Sequence, residues 1–413
     1  MMNDTEFYGQ LLGLEAPWIV ADVALNFPED SVKIYVDFPS EAAFRCPECG
    51  ELTPGYDRRE PRSWRHLDTM QLKTFLIASL PRVNCPTHGV QTVRVAWSEP
   101  HSRFTLLFER LAIAVLKATG VQGKAGGLLR LSPGQIHDVM ARGVARGLER
   151  RTQDETIPHI SLDEKSFQKG HHYITVLGDP VQKRVIEVVE HRTLEATEGL
   201  LKSALSEQQR DAVRSVSMDM WIAFMSAREN ILPGADTVHD RFHIAAYLNN
   251  AVDMTRRSEN RKLNKTQNKS LHRTKYIWLK SVTNLSEKQR VALETMIGLE
   301  LETAKAWAIK ENFRNFFTFT NIADAQDFLL NWYTLACALG NRHLTKVADM
   351  LISHTKGLLA YIKHKVTNAA AEGLNAQIQH VKSCARGYRT FTSFRIAILF
   401  FLGKLDLNPH KIS

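Results

Sequence analysis

The 413-residue chain has no apolar run long enough to cross a bilayer. Its first residues, MMNDTEFYGQ, lack the basic-then-apolar pattern of an export signal. Both absences lead us to expect a cytoplasmic protein. Cysteine is scarce, at five residues, too few for a disulfide scaffold in a chain of this size. Cys337 and Cys384 stand singly in helical patterns and read as small buried apolar residues. Acidic residues are in deficit, 44 against 53 Lys and Arg, for a net charge of +9. That balance favours a polyanionic partner without requiring one. The deficit is steepest from Arg256 to Lys280, where nine Lys or Arg accompany one acid. A solvated face explains such a run as well as phosphate neutralisation does, with Tyr276 and Trp278 available for packing or stacking.

The length implies two to four modules. Residues 18–38 read as two strands joined by a Pro-Glu-Asp turn. The remaining cysteines follow in two knuckles, CPECG at 46–50 and NCPTHG at 84–89. Cys46, Cys49, Cys85 and His88 have the spacing and chemistry of a closed, structural zinc site, with a glycine relaxing each turn. From Phe104 the pattern becomes helical. A short helix, the turn LSPG and the helix QIHDVMARGVARGLERR make a helix-turn-helix pattern, with Ser132 as N-cap and Pro133 at the first helical position. Gln135 and His137 would face base edges there, and Arg142 and Arg146 would be exposed for phosphates. Generic three-helix packing is the alternative.

After a linker at 150–158 the apolar period changes to two. Strands are expected at 159–163, 172–178, 184–191, 213–219 and near 236–240, with a helix at 194–206. Three strands, a helix, a strand, a helix and a strand match a ribonuclease-H-like core. In that core the first and fourth strands run side by side in parallel, so Asp163 and Asp219, at their ends, would face each other. Alternation puts Ile160 and Leu162 on one face and Ser161 and Asp163 on the other, which ranks Asp163 above its neighbour Glu164. Glu372, in the helical NAAAEGLN, is the best third acid. Three converging carboxylates suit two Mg²⁺ ions and phosphoryl transfer. The plainer alternatives are a surface acid at 163, a helix cap at 219 and a solvated helical acid at 372.

Taken together, CPECG with NCPTHG, the helix-turn-helix, SLDEKSF, SMDMW, HDRFH and NAAAEGLNAQIQHVKSCARGYRTFTSFR resemble a DDE transposase of a bacterial insertion sequence, of the ISL-three group with a zinc-binding head. The resemblance covers nearly the whole chain. It implies a multidomain α+β protein: a zinc-binding domain at 1–100, a helix-turn-helix at 101–150, a ribonuclease-H-like core at 151–245 and 361–413, and a helical insertion at 246–360. It implies Asp163, Asp219 and Glu372 as the catalytic, Mg²⁺- or Mn²⁺-binding triad, with Asp240 and His243 near the active site. DNA contacts would come from the zinc head and helix-turn-helix, from Arg256, Arg257, Arg261, Lys262 and Lys265 in the insertion, and from Lys382, Arg386 and Arg389 beyond the catalytic helix. The implied partners are double-stranded DNA, as transposon ends and target, and further copies of the chain in a dimer or larger synaptic complex on the bacterial nucleoid. Two other readings share the motifs: a DNA-binding regulator with an inactive core, and a ribonuclease-H-like nuclease.

Overall fold

A computed structural model describes residues 3–410 apart from 153, 169, 171, 240, 267 and 366–368; the side chains of 369–372 also lie outside the described set. The chain divides into two compact units, residues 1–151 with 405–413, and residues 152–404.

The first unit opens with α1 (Asp4–Leu12), begun by an Asn3–Glu6 capping box. Six strands follow: β1 (Ile19–Asn26), β2 (Ser31–Asp37), β3 (Ala43–Arg45), β4 (Leu52–Thr69), β5 (Leu72–Cys85) and β6 (Gly89–Thr92). They form one sheet in the order β1-β2-β5-β4-β3, with β6 added to the end of β5. Alternate residues of β2 and β5 face inward, so Val32, Ile34, Val36, Leu76 and Ala78 bury a core around Trp64 and Trp97. Three helices complete the unit: α2 (Leu106–Thr119), α3 (Gln122–Leu129) and α4 (Pro133–Glu149). The expected Ser132 cap is present as a capping box with Gln135, and Pro133 sits in the first turn.

The α4 arginines correct the sequence reading. Arg142 and Arg146 were expected on the exposed face, yet both turn inward to Glu109 of α2, itself 1% exposed, at 2.8 and 2.6 Å. Arg146 also pairs with Glu99 and donates to the Leu407 carbonyl at 2.9 Å. The Glu109 and Glu99 carboxylates and the two guanidiniums offset one another's desolvation, so these side chains hold the unit together. Residues 405–410, expected with the catalytic core, pack here instead. Arg150 bonds the Asn408 carbonyl at 2.6 Å, and a Cβ on Gly147 would stand 2.5 Å from Leu405 Cβ.

The second unit starts with β7 (His159–Gln168), β8 (His172–Asp179) and β9 (Arg184–Glu190), continues through α5 (Leu194–Ala204), α6 (Glu207–Ala212), β10 (Ser215–Met218), α7 (Ile222–Ile231) and β11 (Asp236–His239). Its sheet runs β11-β10-β7-β8-β9, with β10 parallel to both β7 and β11 and the other pairs antiparallel. Ile160, Leu162, Leu177, Val216 and Met218 fill one face against Leu200 and Leu201 of α5 and Phe224 of α7. β7 outlasts the expected strand by five residues, because its pairing with β8 continues to Gln168 after β10 has ended. Asp163 therefore lies mid-strand, at the level where β7 loses its β10 neighbour.

A largely helical stretch follows: α8 (Arg241–Lys265), α9 (Lys275–Leu279), α10 (Glu287–Ile297), α11 (Glu302–Phe313), α12 (Ile322–Ala338), α13 (Arg342–Ser353) and α14 (Thr355–His364). Two apolar clusters organise it, one around Phe313, Phe316 and Trp332 and one around Trp278. Glu259, the single acid of the basic run, is buried and accepts from the Glu302 and Thr303 amides, both at 2.8 Å, capping α11 from a neighbouring helix. Finally α15 (Ala369–Cys384) and α16 (Phe391–Leu402) return to the sheet. A Cβ on Gly178 of β8 would lie 3.3 Å from Leu374 of α15, and Phe394 of α16 stacks on Phe167 of β7.

Candidate active site and metal centre

The first centre is in the sheet of the first unit. Cys46 and Cys49 lie in the loop between β3 and β4, Cys85 ends β5, and His88 is in the turn between β5 and β6. Their ligand atoms all lie within 4.8 Å of one another. Cys49 Sγ is 3.6 Å from Cys85 Sγ, and His88 Nδ1 is 3.6 Å from Cys85 Sγ and 3.9 Å from Cys46 Sγ. Zinc–sulfur bonds of about 2.3 Å in a tetrahedron require edges of about 3.8 Å, and these three separations are close to that value. Gly50 and Gly89 both have positive φ, at 74° and 66°, which the tight turns need. Backbone amides at Cys49 and Glu48 turn toward the Cys46 sulfur and pull its thiol down to about 7, the direction a metal-binding thiolate requires. His66 is not part of the cluster; its ring meets Thr105 Oγ1 at 2.9 Å.

The second centre is in the middle of the second unit's sheet, where β7 runs on past the end of β10. Parallel pairing sets Ser161 beside Ser217. Asp163 stands two residues further along β7, and Asp219 two residues beyond Ser217, just past the end of β10 at Met218. Each carboxylate has oriented partners. Asp163 accepts from the Glu164 amide at 2.7 Å and from the Asn375 side-chain amide of α15. Asp219 accepts from the Met220 amide at 2.6 Å and the Tyr247 hydroxyl at 3.4 Å, and its second oxygen lies 3.3 Å from His243 Nδ1. Among the described residues neither carboxylate pairs with a lysine or arginine. Asp219 does not cap α7, which begins at Ile222 with no side-chain cap bond. Burial, and then the Asp219 charge, push the Tyr247 phenol above its usual range, so it stays a neutral donor.

Glu164 has a separate environment. It pairs with Arg192, whose guanidinium lies 4.2 Å from the Tyr173 ring centre and 4.6 Å from that of Trp221. Asp240 and the side chain of Glu372 lie outside the described residues, as do Lys169 and His171 of the β7–β8 turn. Glu372 belongs to α15, three positions before Asn375.

The basic residues singled out in the sequence are dispersed. Gln135 is engaged in its capping box, and His137 is half-buried. Arg256 is held by Asp253 at 2.8 Å, and Arg257 by the same carboxylate. Arg261, Lys262 and Lys265 are exposed at the end of α8, Lys262 lying 3.4 Å from Glu302. Trp278 is fully buried whereas Tyr276 is exposed. Lys382 donates to the Ser166 carbonyl at 2.7 Å, and Arg386 and Arg389 are exposed. Sequence reasoning missed Tyr247, Asn375 and Arg192. Tyr247 follows His243 by four residues and Asn375 follows Glu372 by three, so the helical period could have found two of them.

No described helix is long and apolar enough to cross a membrane. Comparison with known proteins gives two family matches. Residues 160–398 match a model described as a transposase of the ISL3 type, and residues 42–88 match the zinc-finger of transposases IS204, IS1001, IS1096 and IS1165. The transposase for insertion sequence element IS1557 from Mycobacterium tuberculosis is 25% identical over 99% of this chain and 97% of its own length. The transposase for insertion sequence element IS1001 from Bordetella parapertussis is 24% identical over 91% of this chain and 93% of its own.

Proposed function

The chain belongs to the ISL3 transposase family, whose model covers residues 160–398, and from that premise we propose that it cuts the ends of an insertion sequence and joins them to target DNA at a site built on Asp163, Asp219 and Glu372. The observation that carries this reading is the register that sets Ser161 of β7 beside Ser217 of β10, with Asp163 and Asp219 each two residues beyond that pair and each held by a side chain from a different helix. A DNA transposase is not a regulator with an inactive core, and those alternatives are not favoured.

The donor set fits hard divalent cations. Two half-exposed carboxylates with no lysine or arginine partner among the described residues leave oxygen lone pairs for Mg²⁺ or Mn²⁺, and Glu372, one turn before Asn375, would be the third ligand. When bound, the metal supplies an activated attacking oxygen and neutralises the leaving one. The protein's part is positional. Asn375 and the Glu164 amide fix Asp163. Tyr247, His243 and the Met220 amide fix Asp219. A water attacks the phosphorus at the element's end, the bond to the departing oxygen breaks, and a free 3′-hydroxyl remains. That hydroxyl then attacks a target phosphodiester at the same acids. Two ends must be joined, so we infer a dimer or larger synaptic assembly.

The order of strands and helices around this sheet supports a ribonuclease-H-like core, with α8–α14 as its helical insertion. The zinc knuckles would be structural and, with α3 and α4 as a helix-turn-helix, would recognise the terminal repeats. Arg261, Lys262, Lys265, Arg386 and Arg389 are the exposed cations we assign to phosphates. The test is Asp163→Asn. The variant should bind a duplex carrying the element's end as the parent does, yet lose Mg²⁺-dependent cutting by at least about a thousandfold, the scale seen when a residue essential to catalysis is removed. Ordinary cutting by this variant would refute the assignment.

A further inference from the structure

Trp221 is 41% exposed and Ile222 beside it 74% exposed, and both follow directly on the segment that carries Asp219. Indoles are usually covered because they hold so much apolar surface. This one is open and also fixed. Its Nε1–H donates to the Arg192 carbonyl at 3.2 Å, and the Arg192 guanidinium lies 4.6 Å from its ring centre. Arg192 is in turn anchored by Glu164 and lies 4.2 Å from the Tyr173 ring. The ring is thus held by a hydrogen bond at its nitrogen and a cation over its plane, while a large part of its surface meets solvent two residues from a catalytic carboxylate.

We propose that Trp221 is a stacking platform for an unpaired nucleobase next to the phosphate being cut. The proposal rests on the catalytic reading of Asp163 and Asp219. Acids fixed on and beside a sheet reach a phosphate in duplex DNA more readily if the adjoining nucleotide leaves the helix, and a nucleotide that leaves needs a new surface for its face. A pre-fixed aromatic provides that surface without losing side-chain freedom on binding. Stacking accepts any base, so the platform favours opening of the end without reading its sequence. Arg192, already paired with Glu164, braces one side of the ring.

The experiment measures single-turnover cutting, with the full-length protein and Mg²⁺, of end-bearing duplexes whose base pair at the cleaved phosphate is either matched or mismatched. Trp221→Ala should cut the matched end about ten- to a hundredfold more slowly, the range expected from losing one base–aromatic stack. Trp221→Phe should recover most of that loss. The mismatched end, already open, should narrow the gap between Trp221→Ala and the parent. Equal cutting by Trp221→Ala and the parent overturns the platform. So does a loss that neither phenylalanine nor the mismatch relieves, since that pattern marks a structural residue or a contact with another chain. If the parent protein itself fails to cut any end-bearing duplex, the catalytic reading fails, which is a separate result.

Discussion

His239 shows how one side chain ties the sheet to the helix beyond it. It is 3% exposed at the end of β11, its ring lies 5.1 Å from that of His354, and a Cβ on Gly357 of α14 would clash with it. Burial, reinforced by the nearby His354, pushes its imidazole down to about 4. An unfolded histidine titrates near 6.5. Between those values the unfolded chain takes up a proton that the folded chain refuses. This contribution to stability is complete above pH 6.5 and is lost as the pH falls toward 4, by on the order of 3 kcal/mol. Urea unfolding at pH 7 and 4.5 checks it: His239→Gln should lose less stability across that interval than the parent, and parallel losses would remove His239 as the cause. The acids illustrate a different point. Alternation alone separated Asp163 from Glu164, and the structure pairs Glu164 with Arg192 while leaving Asp163 without a cation among the described residues. That distinction was legible because strand period is local. The inward turn of Arg142 and Arg146 was not, because their partner Glu109 is 33 and 37 residues away and a helical arginine reads as solvated until its carboxylate is placed.

At the scale of elements, α15 has to approach the sheet closely for Asn375 to reach Asp163. Gly178 permits it: a Cβ there would stand 2.6 Å from Ser161 Oγ and 3.3 Å from Leu374. Gly178→Ala should cost about 1–3 kcal/mol of stability through overpacking and displace α15. Cutting should fall more than the folded fraction does, a comparison that melting and cleavage on the same sample provide. The zinc knuckles make a second prediction. Purified protein should hold about one zinc per chain, and chelation should open residues 42–88 to protease; a metal-free protein equally resistant there would contradict the site. Both knuckles could be read in the sequence because C-x2-C and C-x2-H are short motifs. The extent of β7 could not, since it depends on where its two neighbours stop pairing.

For the whole molecule, the net charge of +9 is spread unevenly and partly spent internally, as Arg142, Arg146 and Arg256 show. The exposed Arg261, Lys262 and Lys265 remain for a polyanion. Replacing all three by glutamine should weaken duplex binding similarly for end and random sequences. It should also flatten the dependence of log affinity on log salt by up to about 3, near one unit per lost phosphate contact. An unchanged slope would place the DNA elsewhere. The division of the chain into modules was only partly visible in the sequence, because residues 405–410 carry no motif announcing that they belong with α4.

That return has a consequence in time. The Leu407 carbonyl that receives Arg146 lies 261 residues later in the chain. At roughly 5–20 residues per second, a ribosome needs on the order of 10–50 seconds to make that stretch. Through that interval α4 must wait with the Leu405 and Leu407 side of its surface uncovered. The first unit, although synthesised first, is finished only after the entire second unit has emerged.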